Sequence, residues 1–361
     1  MESKRKLRVC IIGQGRSGRD IHGAFFRSEE NRVATVVAIV DRDEERRLRA
    51  KEEFGCDVYA DYTEILGRDD IDLVVNASLS HMHYPISKDL LEHGFHVLSE
   101  KPFGRTDWEC RDLILTAKKH GRIITAFHQT LFTAAYLKCK EVVSSGKLGD
   151  AVQITLRYSS FGRRWDWQTL QSHCAGSVYN SGPHPIAQAL DLLEWDPDIR
   201  LAFSALRTAL TSGDAEDYGK LILTAPHRPV VDVEISCADA FASDYVFKVQ
   251  GTRGTYLSTQ TEYKMKYIPD FSVYPERPVV REPLKKEDGT PSYCSETLDF
   301  TVEEGKFEGS AFTTAVATFY DLLYRALTEG APLPLSPEKA ARVIWVIEAC
   351  HAQNPLPVRF D

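Results

Sequence analysis

A glycine-rich hexapeptide near the start of the chain has the spacing that binds a dinucleotide. The segment Gly13-Gln14-Gly15-Arg16-Ser17-Gly18 fits the pattern G-x-G-x-x-G, follows a β-rich stretch and opens a predicted helix near Ser17. In this pattern the first glycine permits a tight turn, the second admits a pyrophosphate, and the third lets the helix pack on the strand. The phosphates then rest on main-chain N–H groups at a helix N-terminus. Taken alone, the hexapeptide is a weak signal, because any glycine-rich turn can match it.

An acidic residue further along strengthens the dinucleotide interpretation. Asp41 ends the next predicted strand, close to the ~20-residue spacing that the motif expects after its last glycine. A carboxylate there accepts hydrogen bonds from a ribose diol and repels a 2′-phosphate, which favours NAD. The neighbouring Arg42 can pair with such a phosphate, so NADP stays open. The alternative is that Asp41 only caps the following helix.

Two further side chains have the chemistry of acid–base catalysis. Lys101, in Glu100-Lys101-Pro102, follows the fourth predicted strand, and ligands of parallel sheets bind at the carboxyl ends of strands. A lysine in a cationic, partly dry site loses its proton more easily than in water. His184 stands where a loop ends and a helix begins, and an imidazole can take a hydroxyl proton as hydride leaves the adjacent carbon. The alternatives are a solvated surface lysine and a histidine that bonds the main chain.

The first part of the chain alternates short apolar runs with helical patterns. The predicted strands are Leu7–Ile12, Val36–Val40, Asp72–Ala77, His96–Ser99 and Ile123–Phe127, with helices at Asp43–Phe54, Pro85–His93 and Asp107–His120. Near-continuous apolar strands separated by helices imply a parallel sheet that is buried on both faces. We therefore predict a doubly wound α/β domain over residues 1–128 that binds the dinucleotide.

The pattern changes after Gly149 to strands with alternating polarity. These are Ala151–Ser159, Leu201–Leu210, Tyr218–Thr224, Val230–Ala238 and Tyr245–Gln250, with helices at Pro185–Leu193, Ser310–Glu329 and Pro337–Gln353 and an exposed loop at Glu276–Pro291. Alternation is typical of an antiparallel sheet with one covered face. Residues 129–361 are accordingly predicted to form a second α/β domain, which binds substrate.

Composition excludes several classes of partner. With 44 Lys and Arg against 52 Asp and Glu, the net charge of −8 argues against nucleic acid and anionic membranes. No apolar run approaches the ~20 residues of a membrane span, and the charged segment Met1–Leu7 is unlike a secretory signal. The 8 cysteines form no C-x-x-C pair, which favours free thiols in the cytoplasm. His81-Met82-His83 has no further ligand set nearby, so we expect no metal.

The chain resembles the Gfo/Idh/MocA oxidoreductases. The resemblance rests on six segments, namely Gly13–Gly18, Asn76–His83, Gly94–Pro102, Ser145–Gly149, Gly176–Gln188 and the closing helical segment Pro334–His351. It implies a Rossmann domain followed by an α/β domain on an open, mainly antiparallel sheet, whose outer face commonly forms a homo-oligomer. Members of the family act on a hydroxyl carbon of a sugar, a sugar derivative or a cyclitol.

The resemblance also assigns roles to individual residues. The catalytic lysine of the family falls on Lys101 and its catalytic histidine on His184, and the cofactor cleft includes Ser78, His83 and Glu100. The family pattern Asp-x-Gly-x-His-x-x-Asp departs here, because Asn180 and Ala187 replace the two carboxylates. Asn180 cannot take a proton, but it can position a substrate hydroxyl, and some sugar-oxidising relatives are similar in this respect. Ala187 leaves His184 without a carboxylate to orient it.

A tryptophan-rich stretch and the end of the fifth strand supply candidate substrate contacts. The run Trp165-Asp166-Trp167-Gln168 resembles a motif in a glycoside-directed branch of the family. An indole stacks on the apolar face of a pyranose, while Asp166 and Gln168 can hold its hydroxyls. Alternatively, both tryptophans pack in the core or in an interface. His128 and Gln129 are further candidates for the cleft.

These observations predict an NAD(P)-dependent dehydrogenase that acts on a sugar, glycoside or cyclitol, with this small carbohydrate as its partner. Two alternatives remain open. One is an enzyme that cleaves a glycoside through transient oxidation and returns the hydride to the product. The other is a non-catalytic regulatory protein that binds the dinucleotide.

Overall fold

The computed structural model describes residues 5–241, 245–308 and 311–360. The start of the charged N-terminal segment, residues 1–4, and the first residue of the predicted helix Ser310–Glu329 lie outside these ranges. No helix in the described ranges combines the length and the apolar character needed to cross a lipid bilayer.

The first domain is built on a parallel sheet of six strands in the order β3-β2-β1-β4-β5-β6. Its strands are β1 Leu7–Ile12, β2 Ala34–Val40, β3 Asp57–Tyr59, β4 Leu73–Asn76, β5 His96–Ser99 and β6 Ile124–Ala126. This order reverses between β1 and β4, which opens a crevice at the carboxyl ends of the strands. The predicted doubly wound sheet is confirmed. The sequence pattern missed β3 because it is three residues long and only partly buried.

Helices cover both faces of this sheet. A π-helix Arg16–Gly23 continues into α1 Ala24–Arg27, followed by α2 Glu44–Phe54, α3 His83–Glu92 and α4 Asp107–Lys119. The side chain of Asp43 caps α2 by accepting a hydrogen bond from the main-chain N–H of Arg46, and Thr106 caps α4 in the same way through Glu109. The predicted helices are therefore confirmed to within a few residues.

The second domain contains an eight-stranded sheet in the order β16-β13-β12-β11-β7-β10-β9-β8. Its strands are β7 Ala151–Ser159, β8 Arg200–Arg207, β9 Tyr218–Thr224, β10 Val230–Ser236, β11 Phe247–Gly251, β12 Gly254–Ser258, β13 Glu262–Tyr267 and β16 Thr301–Lys306, with a small hairpin of β14 Leu284–Lys285 and β15 Pro291–Ser292. The β7–β10 pair is parallel and the other neighbouring pairs are antiparallel, which confirms the mainly antiparallel prediction. The sequence pattern missed β12, β13 and β16, the three strands that follow β11 toward one edge of the sheet.

The helices of the second domain are α5 Ala134–Ser144, α6 Ser177–Asn180, α7 Pro183–Leu192, α8 Ala311–Glu329 and α9 Pro337–Gln353. The last two return to the first domain. The ring of Phe319 on α8 lies 4.9 Å from the ring of Phe127, and the hydroxyl of Thr125 donates to the carbonyl of Leu335 over 2.7 Å. The C-terminal helices therefore complete the packing of the parallel sheet.

Candidate active site

A cavity of about 820 Å³ lies between the two domains at the carboxyl ends of the parallel strands. The first domain contributes the glycine-rich loop and the segments after β2, β4 and β5, and the second contributes the segment before α6 and the start of α7. Predicted site residues that line it are Gly13, Gly15, Arg16, Ser17, Asp41, Arg42, Ser78, His83, Glu100, Lys101, Gln129, Asp166, Trp167, Gln168, Asn180 and His184. The structure thus brings most of the predicted residues together.

The glycine-rich loop leaves room where a pyrophosphate would lie. Gly13 has a φ of +91°, and its N–H donates to the carbonyl of Val40 over 2.7 Å. A Cβ atom on Gly18 would fall 1.8 Å from the carbonyl oxygen of Gly13, so the helix approaches the end of the strand too closely for any side chain at this position. By contrast, no described atom lies within 4 Å of a Cβ built on Gly15, which lines the cavity. This open cradle at a helix start fits a dinucleotide. Gln14 is buried and outside the lining.

Asp41 is held in place by the main chain at one end of the cavity. Its Oδ2 accepts from the N–H of Gln14 over 2.6 Å, and its Oδ1 accepts from the N–H of Asp43 over 2.8 Å. The cap of α2 is Asp43 rather than Asp41, so the capping alternative is wrong. Arg42 and Arg46 line the same end, with Arg46 Nη1 3.8 Å from Asp41 Oδ2. A ribose diol and a 2′-phosphate therefore both have partners here.

His83 ties two cavity segments together. Its Nδ1 lies 2.8 Å from the carbonyl oxygen of Pro102, and its Nε2 lies 3.1 Å from the carbonyl oxygen of Ser78. The hydroxyl of Ser78 in turn donates to Asn76 Oδ1 over 2.7 Å. The buried imidazole thus joins the loop after β4 to the segment that carries Lys101.

Lys101 and His184 reach the cavity from different domains. The ammonium of Lys101 donates to the main-chain carbonyl of Asn180 over 2.8 Å, and Nδ1 of His184 lies 3.1 Å from the hydroxyl of Thr130. Burial lowers the pKa of Lys101, which Glu100 opposes and nearby guanidinium groups reinforce. Burial, together with the charge on Lys101, holds the pKa of His184 well below its ordinary value. His184 is therefore a neutral imidazole at pH 7.

The two departures from the family pattern have visible structural consequences. The side-chain Nδ2 of Asn180 donates to the carbonyl of Gln168 over 3.1 Å, which fixes the tryptophan-rich segment against α6. Ala187 is fully buried in the core, and the hydroxyl of Thr130 is the group that orients His184. Thr130 carries no catalytic signature in sequence, so it was missed.

The tryptophan-rich segment contributes unevenly to the cavity. Trp167 and Gln168 line it, together with Asp166, which accepts a hydrogen bond from Arg164 over 2.8 Å. Trp165 is 77 % exposed and lies outside the lining, because the chain turns into the short helix Trp167–Thr169 directly after it. Of the two tryptophans predicted to stack on a substrate, Trp167 therefore lines this cavity and Trp165 does not.

The end of the fifth predicted strand places its two candidates differently. His128 is buried behind the cavity wall, with its ring centroid 6.3 Å from that of His184, and burial lowers its pKa to about 4. Gln129 lines the cavity and is only 4 % exposed, and its Oε1 has no hydrogen-bond partner in the described part of the chain. A buried unpartnered acceptor beside a cavity fits a ligand hydroxyl.

Two other lining residues, Tyr158 and His81, were not predicted to belong to this site. Tyr158 donates from its hydroxyl to Gln188 Oε1 over 3.0 Å and faces the cavity from β7. His81 lines the cavity, and its ring lies 4.6 Å from that of His173 in a T-shaped contact across the two domains. Both depend on contacts between segments that are distant in sequence.

Comparison with known proteins agrees with this architecture. Residues 7–128 match the family described as "Oxidoreductase family, NAD-binding Rossmann fold", and residues 136–257 match the "GFO/IDH/MocA C-terminal domain". An uncharacterized oxidoreductase of Schizosaccharomyces pombe is 27% identical over 70% of each chain. The scyllo-inositol 2-dehydrogenase (NADP(+)) IolW of Bacillus subtilis is 24% identical over 97% of this chain and 95% of that protein.

A solved structure shares the fold over nearly the whole length. It is KijD10, a 3-ketoreductase from Actinomadura kijaniata in complex with NADP and TDP-benzene, with a TM-score of 0.76 and 17% identity over 96% of this chain and 98% of that one. At this identity the likeness concerns the fold. With both domains matched in order and the dinucleotide cradle in place, the chain belongs to the Gfo/Idh/MocA family of NAD(P)-binding oxidoreductases.

Proposed function

We propose that the protein transfers hydride between NAD(P) and a hydroxyl-bearing carbon of a sugar, glycoside or cyclitol. The observation that carries this proposal is the meeting of Lys101 and His184, from two domains, in the cavity that also contains the open glycine cradle. An amine and a neutral imidazole beside a dinucleotide site suit the exchange of a hydroxyl proton.

In this proposal some residues of the cavity bind the cofactor, and Lys101 and His184 act on the substrate hydroxyl. When bound, the nicotinamide supplies the hydride acceptor or donor. The turn around Gly15 would hold the pyrophosphate, and Asp41 would hold the ribose. His184 takes the hydroxyl proton when its Nδ1–H donates to Thr130, because this tautomer leaves Nε2 free as a base. The Lys101 ammonium stabilises negative charge on the substrate oxygen, and the carbonyl of Asn180 keeps it directed there.

The substrate class is supported by the polar groups around this pair. Gln129, Gln168 and Asp166 present amide and carboxylate groups that suit several hydroxyls at once, and Trp167 adds a flat apolar surface. The names of two similar proteins point the same way, since one is called an inositol dehydrogenase and the other a 3-ketoreductase. A polyhydroxylated ring is therefore the substrate that we propose.

A panel of pyranoses, pyranosides and cyclitols, each with NAD⁺ and with NADP⁺, tests the proposal through nicotinamide absorbance. We expect reduction with at least one ring substrate, and a loss of about 100-fold or more in kcat for Lys101→Met and His184→Gln. Lys119→Met is the matched control, because Lys119 is an exposed lysine outside the cavity.

Two results would overturn the proposal. The first is an absence of cofactor turnover in either direction across the panel, with the oxidised rings tested alongside NADH and NADPH. The second is release of an aglycone with no net change in the cofactor, which would replace simple dehydrogenation with glycoside cleavage. Equal activity of Lys101→Met and Lys119→Met would remove Lys101 from the chemistry.

A further inference from the structure

A line of three buried polar side chains runs from helix α8 to the backbone of Lys101. Tyr320 on α8, His22 on the helix after the glycine-rich loop, and Glu100 are each at most 3 % exposed. The hydroxyl of Tyr320 lies 2.6 Å from Nδ1 of His22, and Nε2 of His22 lies 3.1 Å from Oε1 of Glu100. The other carboxylate oxygen of Glu100 accepts from the main-chain N–H of Lys101 over 3.0 Å.

The chemistry of these groups fixes the direction of each hydrogen bond. An ionised carboxylate only accepts, so Nε2 of His22 carries the hydrogen that faces Glu100. In a neutral imidazole Nδ1 is then the acceptor, and the Tyr320 hydroxyl donates to it. The Tyr320 hydroxyl thus supports the tautomer of His22 that carries its hydrogen on Nε2. In this tautomer, both ring nitrogens of His22 have a hydrogen-bond partner.

Packing holds the line in one geometry. The ring of His22 lies 4.4 Å from that of Phe127, and the ring of Tyr320 stacks on Phe25 at 4.6 Å with an interplanar angle of 3°. A polar line buried among aromatic rings has a high energetic cost if any one member is lost, because its neighbours keep no other partner. The aromatic contacts therefore hold the three polar groups in one arrangement.

The negative charge of Glu100 acts on the Lys101 ammonium. Burial alone raises the pKa of this carboxyl, but the hydrogen bond from His22 and the positive charge of Lys101 bring it to about 2. Glu100 is accordingly ionised across the physiological range. Its charge opposes the burial and the guanidinium groups that lower the pKa of Lys101.

We propose that His22 is a positioning residue for Lys101, acting through Glu100, and that Tyr320 orients His22 for this purpose. The hydrogen bond from His22 keeps Glu100 ionised. One oxygen of the Glu100 carboxylate then accepts from His22 and the other from the main-chain N–H of Lys101, which fixes the position of Lys101 and favours its protonated form. This inference rests on the proposed function for its catalytic meaning, although the effect on Lys101 is a property of the protein alone.

The charged and titratable groups that surround Lys101 and Glu100 come from both domains. Besides His22 and Tyr320 they are Arg16, His83, His128, Arg164 and His184. In the described part of the chain, the charge of Glu100 favours the protonated form of Lys101, whereas Arg16 and Arg164 oppose it. Loss of the Glu100 charge therefore acts in one direction, toward a neutral lysine.

The protonation of Lys101 can be followed directly by NMR in the full-length protein labelled with ¹³C-lysine, with the Lys101 signal assigned by its loss in Lys101→Met. We expect His22→Phe to lower the pKa of Lys101 by about one unit, a tenfold loss of proton affinity, and Glu100→Gln to lower it at least as much. The double variant should show no further decrease, because both changes remove the same charge. His22→Gln, which keeps an N–H donor, should restore part of the shift.

Tyr320→Phe supplies a milder variant in case His22→Phe does not fold, since it removes one hydroxyl and keeps the stacked ring. We expect a smaller decrease in the pKa of Lys101 in the same direction. Folded His22→Phe and Tyr320→Phe proteins with an unchanged Lys101 titration would overturn the inference. This measurement needs neither substrate nor cofactor, so its outcome is separate from a failure of the proposed dehydrogenase activity. Where activity is found, the midpoint of the kcat–pH profile should move with the Lys101 titration.

Discussion

The ammonium of Lys101 donates a hydrogen bond to the main-chain carbonyl of Asn180 over 2.8 Å, across the boundary between the two domains. The contact uses the backbone of Asn180, so the replacement of a carboxylate by an amide at this position leaves it unaffected. The side-chain amide is instead bonded to Gln168. A geometry that suits proton transfer is thus kept without the carboxylate that the family pattern contains.

Two glycines of the phosphate cradle should respond differently to the same substitution. Gly18→Ala places a methyl group 1.8 Å from the Gly13 carbonyl, so we expect the midpoint of thermal unfolding to fall by several degrees. Gly15→Ala meets no described atom within 4 Å and should leave that midpoint unchanged, while weakening NAD(P) binding about tenfold or more. Thermal unfolding and cofactor titration measure the two effects. Equal cofactor affinity for Gly15→Ala and wild type would place the pyrophosphate elsewhere.

Gln129→Leu should separate stability from function. The Oε1 atom of Gln129 is buried without a partner, so its removal should leave the free energy of unfolding unchanged or raise it by about 1 kcal/mol. The KM for a ring substrate should rise about tenfold, because a hydroxyl loses its acceptor. Gln171→Leu is the control, since the Gln171 amide donates to Asp214 and Pro357 carbonyls, and its loss should cost about 1 kcal/mol. Urea unfolding and steady-state kinetics test both. A destabilised Gln129→Leu protein with unchanged KM would contradict this view.

Asp41→Ser should change the preference between the two cofactors. Removing the carboxylate takes away its repulsion of a 2′-phosphate and leaves Arg42 and Arg46 at the same end of the cavity. We expect the ratio of NADP to NAD affinity to rise about tenfold. Calorimetric titration with each dinucleotide gives this ratio, and Asp20→Ser, at an exposed carboxylate on the first helix, serves as the control. An unchanged ratio would mean that the 2′ position of the ribose lies away from Asp41.

Glu100 should make the fold sensitive to acid. Its pKa of about 2 in the folded protein lies below the ordinary value of 4.5, so the associated stabilisation is present above pH 4.5 and is lost as the pH falls toward 2. The difference corresponds to roughly 3 kcal/mol of unfolding free energy. Urea unfolding at several values between about pH 6 and pH 3 should therefore show a shallower pH dependence in Glu100→Gln than in wild type. Glu29→Gln, at an exposed position, should keep the wild-type slope.

The strongest periodic patterns were sufficient to predict the first domain. Apolar runs such as Leu7–Ile12 form central strands that are buried on both faces, so hydrophobicity and glycine spacing together specify the sheet and its cradle. The edge strand Thr301–Lys306 could not be found in this way, because its charged side chains give little contrast between a buried and an exposed face. The neighbouring strand Glu262–Tyr267 does alternate between charged and apolar residues, so its pattern was available in the sequence but was not recognised.

The candidate site was predictable only where a motif carried the signal. Lys101, His184 and the glycines lie at the ends of recognisable elements, and the structure gathers them in one cavity. Thr130, Tyr158 and His22 contact the site through partners more than 25 residues away in sequence, and no local pattern marks such contacts. Trp165 and Trp167 had equal signals, but a turn between them leaves one exposed.

The closing helices have a consequence for how this protein is made. Phe127 and Thr125 belong to the first domain, yet the groups that cover them, Phe319 and the Leu335 carbonyl, are synthesised only after the last strand of the second domain. We therefore expect the nascent first half to leave the ribosome with an uncovered apolar flank. The packing of the first domain is therefore complete only after the segment that carries Phe319 and Leu335 has emerged.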